Sequence, residues 1–372
     1  MRILLLGEYS NVHATLATGL RELNHEVTVV SNGDFWKNYP RDVNVSRPEG
    51  PLGGLRLYLH VLSLLPRWRG YDVVQFINPM FLELRAERLF AVYRYLRKYN
   101  DKMVLCAMGM DFYWVSECTY RKPLRYSDFN IGNEVRTDEP AVREQRDWIG
   151  TAKERLNRFM ANDCDGIVAG LYEDYVCYRP YFPKKCKFIP LPITFDNDSP
   201  LSTLHSPLST PLKVFIGISK GRSQYKGTDI MLKAAEYVQK KYPEKMQLLK
   251  VEGVSFDQYK KMMNGSDAIL DQLYSYTPSM NPLLAMSKGI ICIGGGEPEN
   301  YEILGEKELK PIINVQPCYE SVCHELEQLV LHPERVPELK RQSVDYVRRH
   351  HDYRKVACQY ELFYNRLFMK SD

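Results

Sequence analysis

The sequence predicts an α/β protein built from two doubly wound, parallel-sheet domains that face each other across a cleft. Three observations lead there. Short apolar runs alternate with helix-period segments, stop at a stretch rich in Ser, Pro and Thr, and then resume. The 372 residues exceed the roughly 250–300 at which a single core stops growing. The composition, 44% apolar and 26% charged, is that of a folded globular chain.

Taken in order, Arg2–Leu6 is a short apolar run that reads as a buried strand, and Val12, Leu16, Leu20 and Leu23 then repeat at helical spacing. Glu26–Ser31, Asp72–Ile77, Met103–Ala107, Asp165–Ala169 and Lys187–Pro190 read as further strands separated by helices, which implies a parallel sheet covered on both faces. This first domain spans 1–196. Thr194–Pro211 has linker composition, and the linker proper is placed at 197–211. Alternation restarts in a second domain, 212–352, with strands expected at Leu212–Ile218, Gln247–Val251, Ala268–Leu270, Ile290–Ile293 and Pro311–Val315. The remainder is mostly helical.

Several classes of protein are disfavoured. A net charge of +4 is too small to argue for nucleic acid. The nine cysteines are scattered without a CxxC pair and read as reduced thiols of a cytoplasmic protein. The apolar run Ile3–Leu6 is too short for a secretory signal, and no stretch approaches the roughly 20 apolar residues of a membrane span. The 26 tyrosines suit sugar contacts or aromatic-rich cores.

The stretch 215–238, FIGISKGRSQYKGTDIMLKAAEYV, is the most informative. An apolar strand enters a turn holding Gly221 and Gly227, with Lys220, Arg222 and Lys226 in or beside it, and a helix opens near Thr228. Fixed cations at the carboxyl end of a strand, beside a helix start, form a site for a diphosphate. The alternative is a solvated basic turn. A dinucleotide site is disfavoured at the first turn, GEYSNVH, which lacks GxGxxG spacing, and the second strand ends on Val30 and Ser31 rather than an acid.

The chain resembles the GT-B glycosyltransferases, specifically the large retaining class with a family-four-like C-terminal domain (glycosyl transferases group 1). The resemblance is carried by the opening RILLLGEYSNVHATLATGLRELNHEVTVVSNGD, by CDGIVAG with KFIPLPITFD, by the donor turn quoted above, and by DAILDQLYSYTPSMNPLLAMSKGIICIGGGEPENYEIL. It implies two Rossmann-like domains, with the tail 353–372 crossing back onto the first. It also implies transfer of a sugar from a nucleotide diphosphate sugar. Arg222 and Lys226 match the family's paired cations and would neutralise the departing diphosphate, so no metal is expected. Asp163 and Asp165 form an Asp-x-Asp that reads as the entry to a strand rather than a ligand pair. A phosphate contact is expected from the amides of Ser279, Met280 and Asn281 at a helix start, with Ser279 alternatively a simple cap.

The sequence departs from the family's E-x7-E pattern, placing Tyr276 and Leu284 where glutamates stand. Asp271, Gln272 and Asn281 are the nearest polar substitutes, and Glu299 and Glu302 are candidates to reach the ribose. On the acceptor side, the turn holding Gly7, Glu8, Tyr9, Ser10 and Asn11 lies at a strand end. His13 either orients an acceptor hydroxyl or is structural. Asp111 either assists deprotonation or caps the next segment. The polar, aromatic stretch 112–144 reads as an acceptor loop, with Tyr113, Trp114, Tyr120 and Tyr126 as candidate stacking platforms.

Leu55–Leu65, followed by Arg67 and Arg69, and the basic Tyr93–Lys102 are either a core helix beside a solvated face or a peripheral contact with the inner face of a membrane. The reading that results is a metal-independent, retaining glycosyltransferase acting on a glycan or lipid-linked glycan. Its rival is a catalytically weakened relative that binds nucleotide or sugar within an assembly, and an epimerase on the same architecture is a third reading.

Overall fold

The computed structural model describes residues 1–195, 211–218 and 221–369. Lys220 and all but the last residue of the expected linker lie outside the described residues. The chain divides into two compact units. One comprises Met1–Pro123, Arg143–Pro192 and Tyr353–Asp372, and the other Leu124–Val142 and Ile193–Asp352.

Numbered along the chain, the strands are β1 (Arg2–Leu6), β2 (Glu26–Ser31), β3 (Val43–Asn44), β4 (Val73–Phe76), β5 (Lys102–Ala107), β6 (Asn130–Ile131), β7 (Glu134–Val135), β8 (Gly166–Ala169), β9 (Cys186–Phe188), β10 (Leu212–Ile218), β11 (Met246–Glu252), β12 (Ala268–Leu270), β13 (Ile291–Gly294) and β14 (Ile313–Asn314). Every strand expected from the apolar runs is present, its ends shifted by two residues at most. The short β3 and the β6–β7 hairpin were not expected, because two-residue pairings carry no readable periodicity.

The first unit holds a seven-stranded sheet in the order β3-β2-β1-β4-β5-β8-β9, parallel throughout. Central β1 pairs Leu4 with both Thr28 and Val74, and Ile3–Leu6 are fully buried. An uninterrupted apolar run such as Ile3–Leu6 is what two covered faces require. The last helix, Tyr353–Phe368, belongs to this unit and packs on the Val12–Glu22 helix. Gly19 makes that approach feasible, since a Cβ there would lie 2.6 Å from the Ala357 Cβ and 2.8 Å from the Tyr353 carbonyl. His25 Nε2 meets Glu361 at 2.9 Å, and the Tyr364 hydroxyl donates to Gln75 at 2.7 Å.

The second unit holds a five-stranded parallel sheet, β11-β10-β12-β13-β14. Along β10, Val214 and Ile216 face one core with Met231, Ala235 and Leu326, while Phe215 faces the other with Met263 and Ala285. In both sheets the order reverses beside the first strand, between β1 and β4 and between β10 and β12. Ligand crevices in open parallel sheets form there, beyond the carboxyl ends.

Two expectations are corrected. The segment 124–142 groups with the second unit, although the sequence assigned it to 1–196. Its side chains find their partners on the β10, β12 and β13 loops, as described below. The expected acceptor loop therefore splits. Phe112–Ser116 and Glu117–Arg121 are helical turns of the first unit in which Tyr113 and Trp114 are buried, so neither is a stacking platform, while Tyr120 is exposed.

Candidate functional site

In the second unit the turn after β10 is built by two left-handed glycines, Gly221 at φ 73° and Gly227 at φ 70°, around the single helical turn Ser223–Lys226. The Leu273 amide donates to the Lys226 carbonyl at 2.9 Å, and a Cβ on Gly227 would lie 2.5 Å from that of Leu273. The turn is thus clipped to the exit of β12, where only glycine fits. Lys226, half-buried, faces the carboxylate of Asp271, the first residue after β12. Burial raises the Asp271 carboxyl above its ordinary range, opposed by the Lys226 charge and by hydrogen bonds from Gln272 and Asn281.

Asn281 Nδ2 donates to the Tyr259 hydroxyl at 2.8 Å. The Tyr259 ring lies over Gly217, where a Cβ would come within 2.5 Å of it. Arg222 is exposed on the rim, its guanidinium 5.4 Å from the Tyr225 ring centre. The fold therefore brings Lys226, Asp271 and Asn281 together at the reversal between β10 and β12, with Arg222 free to reach a bound anion.

Other expected donor residues land differently. Ser279 precedes the Met280–Met286 helix, but its hydroxyl accepts from Gln272 Nε2 at 3.3 Å rather than capping helix amides. Met280 is buried. Tyr276 is buried, its hydroxyl accepts the Arg125 amide at 2.7 Å, and its ring packs 4.8 Å from Tyr126. Glu299 is bound by Arg125 at 2.5 Å, and Glu302 is exposed, so these two do not form a pair.

The carboxylate that the sequence reading missed is Glu297. Buried beside β13, it accepts from Tyr126 Oη at 2.5 Å, Arg125 Nη2 at 2.7 Å and Gln316 Nε2 at 2.9 Å. Burial alone would raise its carboxyl, but these hydrogen bonds, one from Asn314 and the Arg125 charge outweigh it and hold it below the usual range. Its place immediately before Pro298, at a helix start, was the only signal.

The segment 124–142 straps these loops together. Besides Arg125 and Tyr126, Asp128 accepts the Tyr225 hydroxyl at 2.5 Å. Arg136 donates to the Gln224 carbonyl at 3.0 Å and stacks 3.9 Å from the Tyr274 ring centre. The glycine run after β13 has a packing cause: a Cβ on Gly295 would lie 2.1 Å from the Ser275 carbonyl oxygen.

In the first unit, Gly7 (φ 84°) packs so closely that a Cβ would meet Ile77 Cγ2 at 2.4 Å. Glu8 is buried and accepts the amides of His13 at 3.3 Å and Ala14 at 2.8 Å. Burial still pushes its carboxyl up to about 8. Tyr9 is half-buried, and Ser10 and Asn11 are left-handed, at φ 53° and 73°. The Asn11 Oδ1 is buried without a hydrogen-bond partner.

His13 is corrected from a candidate acceptor contact to a structural residue. It is fully buried, with Nδ1 2.8 Å from the Gly7 carbonyl and Nε2 3.1 Å from Gln75 Nε2. The carbonyl can only accept, so Nδ1 carries the proton and Nε2 accepts from Gln75. Burial lowers its pKa to about 4. Asp111 takes the capping alternative. It accepts the Trp114 amide at 2.9 Å and the Tyr178 hydroxyl at 2.6 Å, and burial raises it to about 6. Asp163 and Asp165 are both ion-paired to Arg97, at 3.4 and 2.5 Å.

No protein-family model and no curated protein matches the chain in sequence. Its fold matches solved structures over nearly its whole length. Sucrose-phosphate synthase from Thermosynechococcus elongatus superposes with a TM-score of 0.61 at 12% identity, covering 99% of each chain. The catalytic domain of starch synthase IV from Arabidopsis thaliana, bound to ADP and acarbose, gives 0.61 at 10% identity over 98% of this chain and 99% of that one. A putative UDP-N-acetylglucosamine 2-epimerase from Listeria monocytogenes gives 0.57 at 9% identity over 100% and 97%. Two parallel-sheet units, each reversing beside its first strand, and this likeness in fold over nearly the full chain lead to one structural conclusion: the protein has the GT-B fold of the glycosyltransferases, with two Rossmann-like domains.

Proposed function

We propose that the chain is a glycosyltransferase that moves a sugar from a nucleotide diphosphate sugar to a glycan or lipid-linked glycan, with retention of configuration and without a metal. One observation carries this reading: the turn after β10 presents Arg222 and Lys226 at the reversal point of the second sheet, clipped to β12 so that Lys226 stands beside Asp271. Charge develops on the leaving diphosphate as the glycosidic bond breaks, and fixed cations aimed at that charge lower the barrier. Starch synthase IV, which shares the fold, is bound to ADP, which supports a nucleotide diphosphate here. In a front-face transfer the departing phosphate accepts the acceptor's proton, and this route needs no base from His13 or Asp111.

Replacing Arg222 with Ala is expected to lower turnover about 100- to 1,000-fold if the residue acts as one oxyanion donor. Turnover within threefold of wild type would reject the role. The measurement is release of nucleoside diphosphate from a panel of UDP-, GDP- and ADP-sugars.

A second reading, a weakened relative that binds nucleotide without turnover, is favoured by Tyr276 and Leu284 in place of two glutamates and by Arg125 occupying Glu297 and Glu299. Calorimetric binding of free UDP, GDP or ADP with no release from any donor would select it. Interconversion of a free nucleotide sugar without acceptor would select an epimerase.

A further inference from the structure

The Gly53–Leu64 helix of the first unit is apolar on both sides. Its inner side, Leu57, Val61 and Leu64, is buried. Its outer side exposes Leu52 by 57%, Leu55 by 44%, Leu59 by 57% and Leu62 by 38%. At 100° per residue these four fall in one stripe opposite the buried three. The inner side is already apolar and buried, so the helix cannot turn the stripe inward without exposing Leu57, Val61 and Leu64. Single exposed leucines need no explanation, but four aligned along one helix form a patch of the kind that marks an interaction surface.

The charge around the stripe selects the partner. No acidic residue occurs between Glu49 and Asp72, whereas Arg56, Arg67 and Arg69 do. Arg56 lies exposed along one flank of the stripe with His60, and Arg67 is exposed just past the helix end. Arg69 is held by Tyr99, its guanidinium 4.0 Å from the ring centre. The neighbouring helix, Ala86–Tyr99, adds exposed Arg94 and Lys98. Apolar side chains flanked by cations, on a helix that itself carries no carboxylate, complement a layer of anionic headgroups over acyl chains, with exposed Glu49 and Glu87 set before this helix and at the start of the neighbouring one.

We propose that this outer face docks on the surface of an anionic phospholipid bilayer, with Leu52, Leu55, Leu59 and Leu62 entering the headgroup–acyl boundary and Arg56 and Arg67 pairing with lipid phosphates. The inference goes beyond the donor-site reading and stands without it. The sequence left open whether this helix was core or membrane-facing, and the exposure of alternate leucines decides against a fully buried helix.

The test is flotation of the full chain with vesicles of phosphatidylcholine alone and of phosphatidylcholine with phosphatidylglycerol, at low and high salt. The wild type is expected to float with the mixed vesicles and to be released by salt. Leu55→Glu with Leu59→Glu is expected to weaken partitioning about a hundredfold, with an unchanged melting temperature because both side chains are exposed. Arg56→Gln with Arg67→Gln is expected to weaken it roughly thirtyfold, on anionic vesicles only. Three results would overturn the proposal: no flotation of the wild type at low salt, flotation that the leucine pair leaves unchanged, or a dimer in sedimentation that the leucine pair abolishes while vesicles are ignored.

Discussion

Glu8 and His13 sit five residues apart on one turn, and burial moves them in opposite directions: the carboxyl up to about 8 and the imidazole down to about 4. Each favours its neutral form, the expected response of a group removed from water. Asp34 adds to the Glu8 shift by repulsion, and the amides of His13 and Ala14 oppose it. Between an ordinary His pKa near ~6.5 and pH ~8, the folded protein keeps a proton on Glu8 that the unfolded chain has released, so stability must fall as pH rises.

Below that window His13 contributes with the opposite sign: the unfolded chain gains a proton there that the folded one refuses, which lowers stability as pH drops toward about 4, while Glu8 offsets it down to the ordinary carboxyl value of 4.5. Glu8→Gln is expected to remove most of the loss between pH ~6.5 and ~8, roughly 1–2 kcal/mol, measurable by urea titration at several pH values. An unaltered slope in the variant would show that the Glu8 proton is not the source. Neither shift was legible in the sequence, because desolvation depends on what packs over a side chain. The position of the turn was legible, since a strand end followed by a glycine shows in the local pattern.

Among the elements, the 124–142 strap is the one that local reasoning misplaced. Its sequence is polar and aromatic with weak periodicity, which marks a loop but not its partner. The pairing of Arg125 and Tyr126 with Glu297 spans more than 170 residues of chain, as the separations of 171 and 172 show. Arg125 is half-exposed, and Glu297 is nearly inaccessible. Arg125→Ala is therefore expected to cost no more than about 1 kcal/mol, since solvent screens its pair. Glu297→Ala should cost up to about 3 kcal/mol, because it leaves the buried Tyr126 hydroxyl without its acceptor. Thermal melts of both variants check that order, and a larger loss for Arg125→Ala would refute the description of the clasp.

For the molecule as a whole, the last helix matters most. Tyr353–Phe368 joins the first unit though it follows the second in sequence. It fills the space beside Gly19, and Tyr364 holds Gln75, which in turn holds His13. Removing residues 353–372 is expected to loosen the first unit and spare the second. Hydrogen exchange should rise strongly at the Val12–Glu22 helix and stay unchanged at Thr228–Lys241. Equal loss at both helices would mean that the units do not fold as separate bodies. The resemblance to a known family implied the crossing helix, but not which side chains anchor it.

The sequence by itself determined the longer strands, the interruption and restart of the strand–helix alternation between the two halves and the location of the cationic turn at Arg222 and Lys226. All of these are local patterns, written by the period of burial and by glycines at left-handed positions. Tertiary structure alone decided that Glu297 rather than Glu302 is the buried carboxylate, that His13 is sealed, that 124–142 serves the second unit, and that Leu52, Leu55, Leu59 and Leu62 lie exposed on one side rather than packed in the core. Each of these depends on contacts between residues far apart in the chain, and burial at such contacts is set by the assembled sheets rather than by any single segment.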